Sequence, residues 1–335
     1  MKRFIVVFII SALMLSLVSC KPAGQQTGAN GDSPPTDASS APPVTKDEPA
    51  ADVIEDAPPA PVPTQIPPGA FEFTLENMPA IDGSTATIPL IEAVYSVLLG
   101  IPRAEAALMV NTTGTDNAYD NLIWGKVDIL LVYSPSPDTI KNAKNNDIGL
   151  MMASIGRDGL VFLVNKANPV GSLTPEQIVS IYSGGIHNWK DVGGEDAGIR
   201  AFQRPYRSGS QTMMDELVMK GVPMAETEAE YVIGEMGGLI EAVAQFDNAQ
   251  SAIGYNVYYF VSQMEMNENV RMLAVDGVAP STQSISDGSY PFVSNFYAVI
   301  RADTPEDSPA RILYDWIQSA DGQNLVRHEG YATAD

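Results

Sequence analysis

Val127-Asp128-Ile129-Leu130-Leu131-Val132-Tyr133 runs into Ser134-Pro135-Ser136-Pro137-Asp138, and Thr139 to Ala143 then starts a helical pattern. A nearly continuous apolar run of this kind reads as a strand buried on both faces, as in a parallel sheet. The Ser/Pro stretch ends it. Strand, polar loop and helix in that order make up the α/β unit, in which ligand loops stand at the carboxyl ends of strands.

The same order recurs on both sides. Phe71-Glu72-Phe73-Thr74-Leu75 alternates like a strand. Ala80 to Thr87 is a small polar loop before a helical face of Ile88, Leu90, Ile91, Ala93, Val94 and Leu98, with Pro89 suited to the first turn. Asn111-Thr112-Thr113-Gly114-Thr115-Asp116 precedes the helical stretch Tyr119 to Ile123. Downstream, Gly149 to Ala153 and Gly159 to Asn165 read as successive strands, and Thr174-Pro175-Glu176-Gln177 has the spacing of a capping box. Trp189 reads as a packing anchor. Ser251 to Tyr255, Val270 to Val275 and Ala298 to Arg301 have strand character, and Gly288 to Phe292 suits a crossing between lobes. Ile312, Leu313, Trp316 and Ile317 share one helical face.

Ile199 to Phe202 delivers the stretch richest in chemistry, Gln203-Arg204-Pro205-Tyr206-Arg207-Ser208-Gly209-Ser210-Gln211-Thr212, which runs into the helical Met213 to Met219. Ser208 and Ser210 offer hydroxyl donors, and Gly209 lets backbone approach a ligand. The first amides of the following helix have no intrahelical partner. Arg204 adds a planar fork suited to a tetrahedral anion. Alone, Ser and Thr ahead of a helix are ordinary caps. In a further glycine-rich lead into a helix, Gly234-Glu235-Met236-Gly237-Gly238, Gly237 and Gly238 suit either a close approach to the same ligand or tight packing of the chain, and packing is the favoured reading.

Composition bounds the setting. Lys2 and Arg3, the apolar run from Phe4 to Leu17 and Leu17-Val18-Ser19-Cys20 resemble a bacterial lipoprotein signal. The run is shorter than the roughly 20 residues of a membrane span, so cleavage is expected. Cys20 is the one cysteine of the chain, which excludes an internal disulfide and suits lipid attachment. Residues 21–68 hold 12 of the 25 prolines and no aromatic residue, the composition of an extended tether that buries no core. Removing Lys2 and Arg3 leaves 17 basic against 41 acidic residues, a charge of 17 − 41 = −24. Such a chain is repelled by nucleic acid and anionic lipid surfaces, so an anion must be held by local donors.

Asp82-Gly83-Ser84-Thr85, Asn168-Pro169, Asn188-Trp189, the Arg204 to Thr212 loop, Ala252-Ile253-Gly254-Tyr255 and Tyr290-Pro291, in this order, resemble the phosphate-binding lipoproteins of bacterial ABC transporters, of the Gram-positive type. The resemblance implies a two-lobed periplasmic-binding-protein-like fold of type II. Each lobe would be a mixed sheet flanked by helices, with the ligand in the interlobe cleft. Lobe 1 would comprise residues 69–159 and 285–335, lobe 2 residues 160–284, after a signal peptide at 1–19 and a lipidated tether at 20–68. The implied phosphate ligands are Ser84, Thr85, Thr115, Ser134, Arg204, Ser208, Gly209 and Ser210. The implied partners are inorganic phosphate and ABC permease subunits, and the implied setting is a lipid-anchored monomer on the extracytoplasmic face. Ser134 stands where the family usually carries an acidic residue, which weakens discrimination against sulfate. Sulfate or molybdate binding is therefore the alternative ligand class, and a surface phosphate sensor the alternative role.

Catalysis is not expected. A serine nucleophile needs a base and an orienting acid, and His187 and His328, the two histidines, fall in no triad motif. No HExxH or CxxC spacing supplies a metal site, and no cofactor motif is present.

Overall fold

The computed structural model describes residues 71–245 and 249–333. The signal, Cys20 and the tether lie outside them. The chain opens with β1 (Ile81–Gly83), α1 (Ile88–Leu99), α2 (Arg103–Ala107), α3 (Thr115–Ile123), β2 (Ile129–Tyr133) and α4 (Pro137–Asn145), followed by the long β3 (Leu150–Asn165). Then come β4 (Ser172–Leu173), α5 (Pro175–Tyr182), β5 (Arg200–Ala201), α6 (Gly209–Met213) and α7 (Met236–Gln245). After these stand β6 (Ala252–Val257), β7 (Val270–Met272), β8 (Ala274–Val275) and α8 (Thr282–Ser286). β9 (Val293–Arg301), α9 (Pro309–Gln318) and α10 (Ala320–His328) finish it.

β2 shows why its sequence is apolar throughout. Ile129, Leu131 and Tyr133 enter the main core. Leu130 and Val132 point the other way, into a smaller core with Ala118, Tyr119 and Leu122 of α3 and Val299 of β9. Both faces are dry because side chains alternate and each side is covered.

β3 ties two mixed sheets together. From Leu150 to Gly159 it pairs antiparallel with β9, giving the order β1-β2-β9-β3 with β1 parallel to β2. From Leu160 to Val164 it pairs with β6, which lies parallel to β5, and β7 pairs with Leu163 to Asn165. The partner exchange falls between Gly159 and Leu160. Each sheet carries its own helices: α3 lies against β2 and α9 against β9, while α7 covers β6.

Two sequence expectations change. The two strands expected at 149–153 and 159–165 are one sixteen-residue strand. Its glycines mark irregularity and close packing rather than an end: the register slips between Ser154 and Gly156, and a Cβ on Gly156 would lie 2.3 Å from the Phe296 ring. Phe71 to Leu75 forms no strand, because Thr74 starts a turn. The Asn77 carboxamide oxygen accepts from Thr74 N at 2.7 Å and Thr74 O accepts from Met78 N at 2.9 Å. Turn chemistry wins over alternation here. The capping box at Thr174 forms as read, with Thr174 Oγ1 accepting from Gln177 N and Gln177 Oε1 from Thr174 N. Trp189 is buried and its indole donates to Ser251 O at 3.1 Å.

Among the described residues no helix is long and apolar enough to cross a membrane.

Candidate functional site

Three polar loops converge on one cleft of about 470 Å3. The chain after β1 supplies Thr85, the chain before α3 supplies Thr112 to Thr115, and the stretch after β5 supplies Arg204 to Gly209. The first leaves β1, the second runs from α2 to α3 and is tied to the end of β1 by Gly114 N donating to Gly83 O at 3.2 Å, and the third leaves the β5-β6-β3 sheet, so the cleft has a wall from each sheet.

A buried carboxylate fixes the first wall. Asp82 Oδ1 accepts from Thr113 N at 2.8 Å and from Gly83 N at 2.7 Å. Its Oδ2 accepts from the Thr113 hydroxyl at 2.7 Å and from Asn121 Nδ2 at 2.9 Å. Four donors hold one side chain, and with it the loop that carries the threonines. Thr113 thereby spends its proton on Asp82. Thr85 and Thr112 have no side-chain hydrogen bond to the described residues, so their hydroxyls remain for a ligand.

Ser84 lies behind the wall. Its Oγ accepts from Tyr133 N at 3.2 Å and lies 2.8 Å from Thr115 Oγ1. Run in the direction Tyr133 N–H to Ser84 to Thr115, the chain of bonds leaves the Thr115 proton for the cleft and polarises it.

On the second wall Arg204 is buried and held at three points. Its backbone N–H donates to the Tyr255 hydroxyl at 2.9 Å, Nε to Ser210 Oγ at 3.2 Å and Nη1 to Ile233 O at 2.9 Å. Nη2 has no hydrogen-bond partner among the described residues. Burial lowers the guanidinium pKa from its ordinary value, while Tyr255 and Glu235 oppose the shift. Ser208 caps α6, its Oγ accepting from Gln211 N at 3.3 Å, which leaves its proton free. Neither Ser208 nor Ser210 has a histidine hydrogen-bond partner among the described residues.

Tyr206 and Arg207 cross to the first wall. Arg207 reaches Asp116 Oδ2 at 3.3 Å and Asp120 Oδ2 at 2.5 Å, both on α3. The Tyr206 hydroxyl donates to Asp138 Oδ2 on α4 at 2.8 Å. Arg207 does so at a φ of 74°, a backbone region uncommon for a residue other than glycine. The hydrogen bonds it donates to the Asp120 and Asp116 carboxylates hold its pKa above the ordinary value.

Of the eight residues implied by resemblance, Thr85, Thr115, Arg204, Ser208 and Gly209 line the cleft. Ser84 and Ser210 stand behind it, acting on Thr115 and Arg204. Ser134 lies elsewhere, in a separate pocket with Ile140, Ala143, Lys144 and Glu216. Strand alternation accounts for this: Tyr133 N–H meets Ser84, and the next side chain points to the opposite face. Sequence reading gave no role to Arg207, Tyr206, Asp82 or Glu235. The first two stood within the quoted loop, but their reach across the cleft depends on a left-handed turn that no residue type announces. Among the described residues no cluster of His, Cys, Asp and Glu is suited to a metal ion.

Two mixed sheets joined by a shared strand, with a hydroxyl-lined cleft between their loops, define a two-lobed solute-binding fold. The chain belongs to the PBP superfamily: the family described as PBP superfamily domain matches residues 79–320. It is 26% identical over 264 residues to the phosphate-binding protein PstS of Borreliella burgdorferi, covering 76% of this chain and 90% of that relative. With PstS of Bacillus subtilis it shares 24% identity over 254 residues, 75% of this chain and 79% of the relative. A structure from Clostridium perfringens, described as a phosphate ABC transporter substrate-binding protein with bound phosphate, superposes with a TM-score of 0.57 at 26% identity. That match covers 76% of this chain and 98% of the other. An ABC-type phosphate transport receptor from Vibrio cholerae shares the fold, with a TM-score of 0.55, 23% identity and coverage of 78% and 100%.

Proposed function

We propose that this protein is an extracytoplasmic solute-binding lipoprotein that captures inorganic phosphate in its cleft and delivers it to an ABC permease. One observation carries the reading: hydroxyl-bearing loops from both sheets and one buried arginine with a free Nη2 converge on a single cleft. Neutral hydroxyls and one guanidinium suit a tetrahedral oxyanion on a chain whose overall charge would repel it. The names of the relatives point the same way.

In this reading Thr85, Thr115, Arg204, Ser208 and Gly209 touch phosphate, and Ser84 and Ser210 set the donors in front of them. Residues 69–159 and 285–335 form one lobe and residues 160–284 the other, and β3 together with the stretch from α8 to β9 is the link about which they close. Cys20, exposed by removal of residues 1–19, carries the lipid, and residues 20–68 hold the binding unit, a monomer, away from the membrane. Binding occurs without turnover.

Calorimetric titration of the protein with phosphate tests the proposal. Saturable heat with one site per chain is expected. Neither heat nor thermal stabilisation at millimolar phosphate would sink it.

A further inference from the structure

The main-chain N–H of Arg204 is anchored on a line of side-chain hydrogen bonds that runs away from the cleft. It donates to the Tyr255 hydroxyl at 2.9 Å, and that hydroxyl donates in turn to Gln211 Oε1. Gln211 Nε2 donates to Asp215 Oδ1 at 2.9 Å and to Met224 Sδ at 3.3 Å. Arg204, Gln211 and Tyr255 are buried. Asp215 lies one turn beyond Gln211, in the π-helical stretch Met214–Met219 that follows α6. Neither Tyr255 nor Gln211 lines the cleft.

The line has one polarity. An ionised carboxylate only accepts, so Asp215 draws the NH2 end of the Gln211 amide and leaves Oε1 for Tyr255. Oε1 takes the Tyr255 proton, and the phenol oxygen is left to accept from Arg204 N. Burial lifts the Tyr255 pKa above its ordinary value, so the hydroxyl keeps the proton it donates. Both N–H bonds of the amide are used, and successive bonds in such a line polarise one another. Arg204 is thus held at its root by Tyr255 and at its head by Ser210 Oγ and Ile233 O. A shift at the root of so long a side chain is carried out to Nη2.

We propose that Tyr255 and Gln211 are positioning residues for phosphate binding, which touch no ligand and fix the root of Arg204 so that its guanidinium meets the anion. This assignment rests on the phosphate reading above. It differs from a role in core packing alone, which would change stability and leave phosphate affinity as it was.

The test is calorimetric titration of the full chain with inorganic phosphate, comparing the unsubstituted protein with Tyr255→Phe and Gln211→Met and following urea unfolding of each without ligand. Tyr255→Phe keeps the ring and removes the oxygen, while Gln211→Met keeps the length and removes the amide. Each is expected to weaken phosphate about tenfold, the effect of one lost hydrogen bond. The double variant is expected to lie within about twofold of the weaker single variant, because both break the same link. On an Arg204→Ala background, Tyr255→Phe is expected to change affinity by less than about twofold, since the group it positions is gone. Either single variant decides the matter if the other does not fold. Lower stability with unchanged phosphate affinity overturns the assignment while leaving phosphate capture intact, and so does a Tyr255→Phe effect undiminished on the Arg204→Ala background. Absence of phosphate binding by the unsubstituted protein overturns both.

Discussion

Gly209 approaches Thr115 so closely that a Cβ on the glycine would stand 2.5 Å from Thr115 Oγ1. The two residues belong to opposite walls of the cleft, each at the start of a helix, α6 and α3. Tyr133 Cβ would be 3.4 Å from the same added atom, so two sides of the space are already taken. The bare backbone at Gly209 is what lets the walls meet.

Gly209→Ala should therefore act on closure. The added methyl forces the Thr115 side chain or the α6 turn aside, and overpacking of this kind costs typically about 1–3 kcal/mol. Phosphate affinity is expected to fall about 5- to 150-fold by calorimetry, with the unliganded protein unfolding near its usual temperature. Unaltered affinity would mean that the walls do not come together on the ligand.

Arg204 and Ser210 form a hierarchy. In the proposed reading Arg204 is the cation that meets the ligand, so Arg204→Ala should weaken phosphate binding by about 1.5–3 kcal/mol, the range for a hydrogen bond to a charged group. Ser210→Ala leaves the ligand contact but takes the acceptor from Arg204 Nε, 3.2 Å away. A loss of about 1 kcal/mol, read in the same titration, is expected. A Ser210→Ala defect as large as that of Arg204→Ala would contradict the ordering.

Much of the fold was legible because each signal was local. The two-faced burial of β2 follows from an unbroken apolar run, and the Thr174 cap from four adjacent residues. Arg204, Ser208 and Gly209 lie within seven residues of one another, so their shared presence at the cleft was also readable. Long-range choices were not. Joining two strand patterns through Gly156 and Gly159 depends on how Phe296 of β9 packs against the first of these glycines. The side on which Ser134 emerges depends on β2 phase relative to two cores. The reach of Arg207 depends on one positive φ. Arg204 meets Ile233 O, 29 residues along the chain from that arginine.

Arg207 should govern how long phosphate stays. It pairs across the cleft with buried Asp116 and with Asp120, while its own side chain is 40% exposed. Solvent therefore screens much of the gain, and exposed pairs contribute about 0.2–1 kcal/mol. Arg207→Ala is expected to speed phosphate release about two- to fivefold in a stopped-flow displacement, with a smaller difference between the proteins at 1 M salt, where the Debye length is about 3 Å. Identical release rates at low salt would remove Arg207 from any closing role.

Asp158 makes stability depend on pH. It stands on β3 beside the partner exchange, fully enclosed, and accepts from the Tyr133 hydroxyl at 2.6 Å, Gly159 N at 2.8 Å and Tyr259 N at 3.1 Å. Burial outweighs these donors and raises its pKa from 3.8 to about 6. The folded chain thus binds this proton more tightly than the unfolded chain. The stabilising contribution is complete below about pH 4 and is lost as pH rises through about 6, on the order of 3 kcal/mol in all. Asp158→Asn should flatten the pH dependence of urea unfolding between pH 4 and 7. Parallel curves for the two proteins would rule this group out.

Asp82 offers the sharpest separation of scaffold from ligand contact, because it is buried and lies two residues before Ser84. Its carboxylate receives Gly83 N, Thr113 N, the Thr113 hydroxyl and Asn121 Nδ2. An amide at this position keeps the shape but offers one acceptor oxygen, so donors on the other side face an NH2 group. Each buried donor left unmet costs about 1–3 kcal/mol. Asp82→Asn should therefore lower stability by about 2–4 kcal/mol in urea unfolding and also weaken phosphate, since Thr112 and Thr115 flank the released Thr113. Asn121→Ala removes only one of the four donors and leaves the carboxylate satisfied by the other three. Its effect on both measurements should be no more than about 1 kcal/mol. A stability loss in Asp82→Asn without loss of phosphate affinity would mean that the threonine loop holds its shape unaided and that Asp82 serves the core alone.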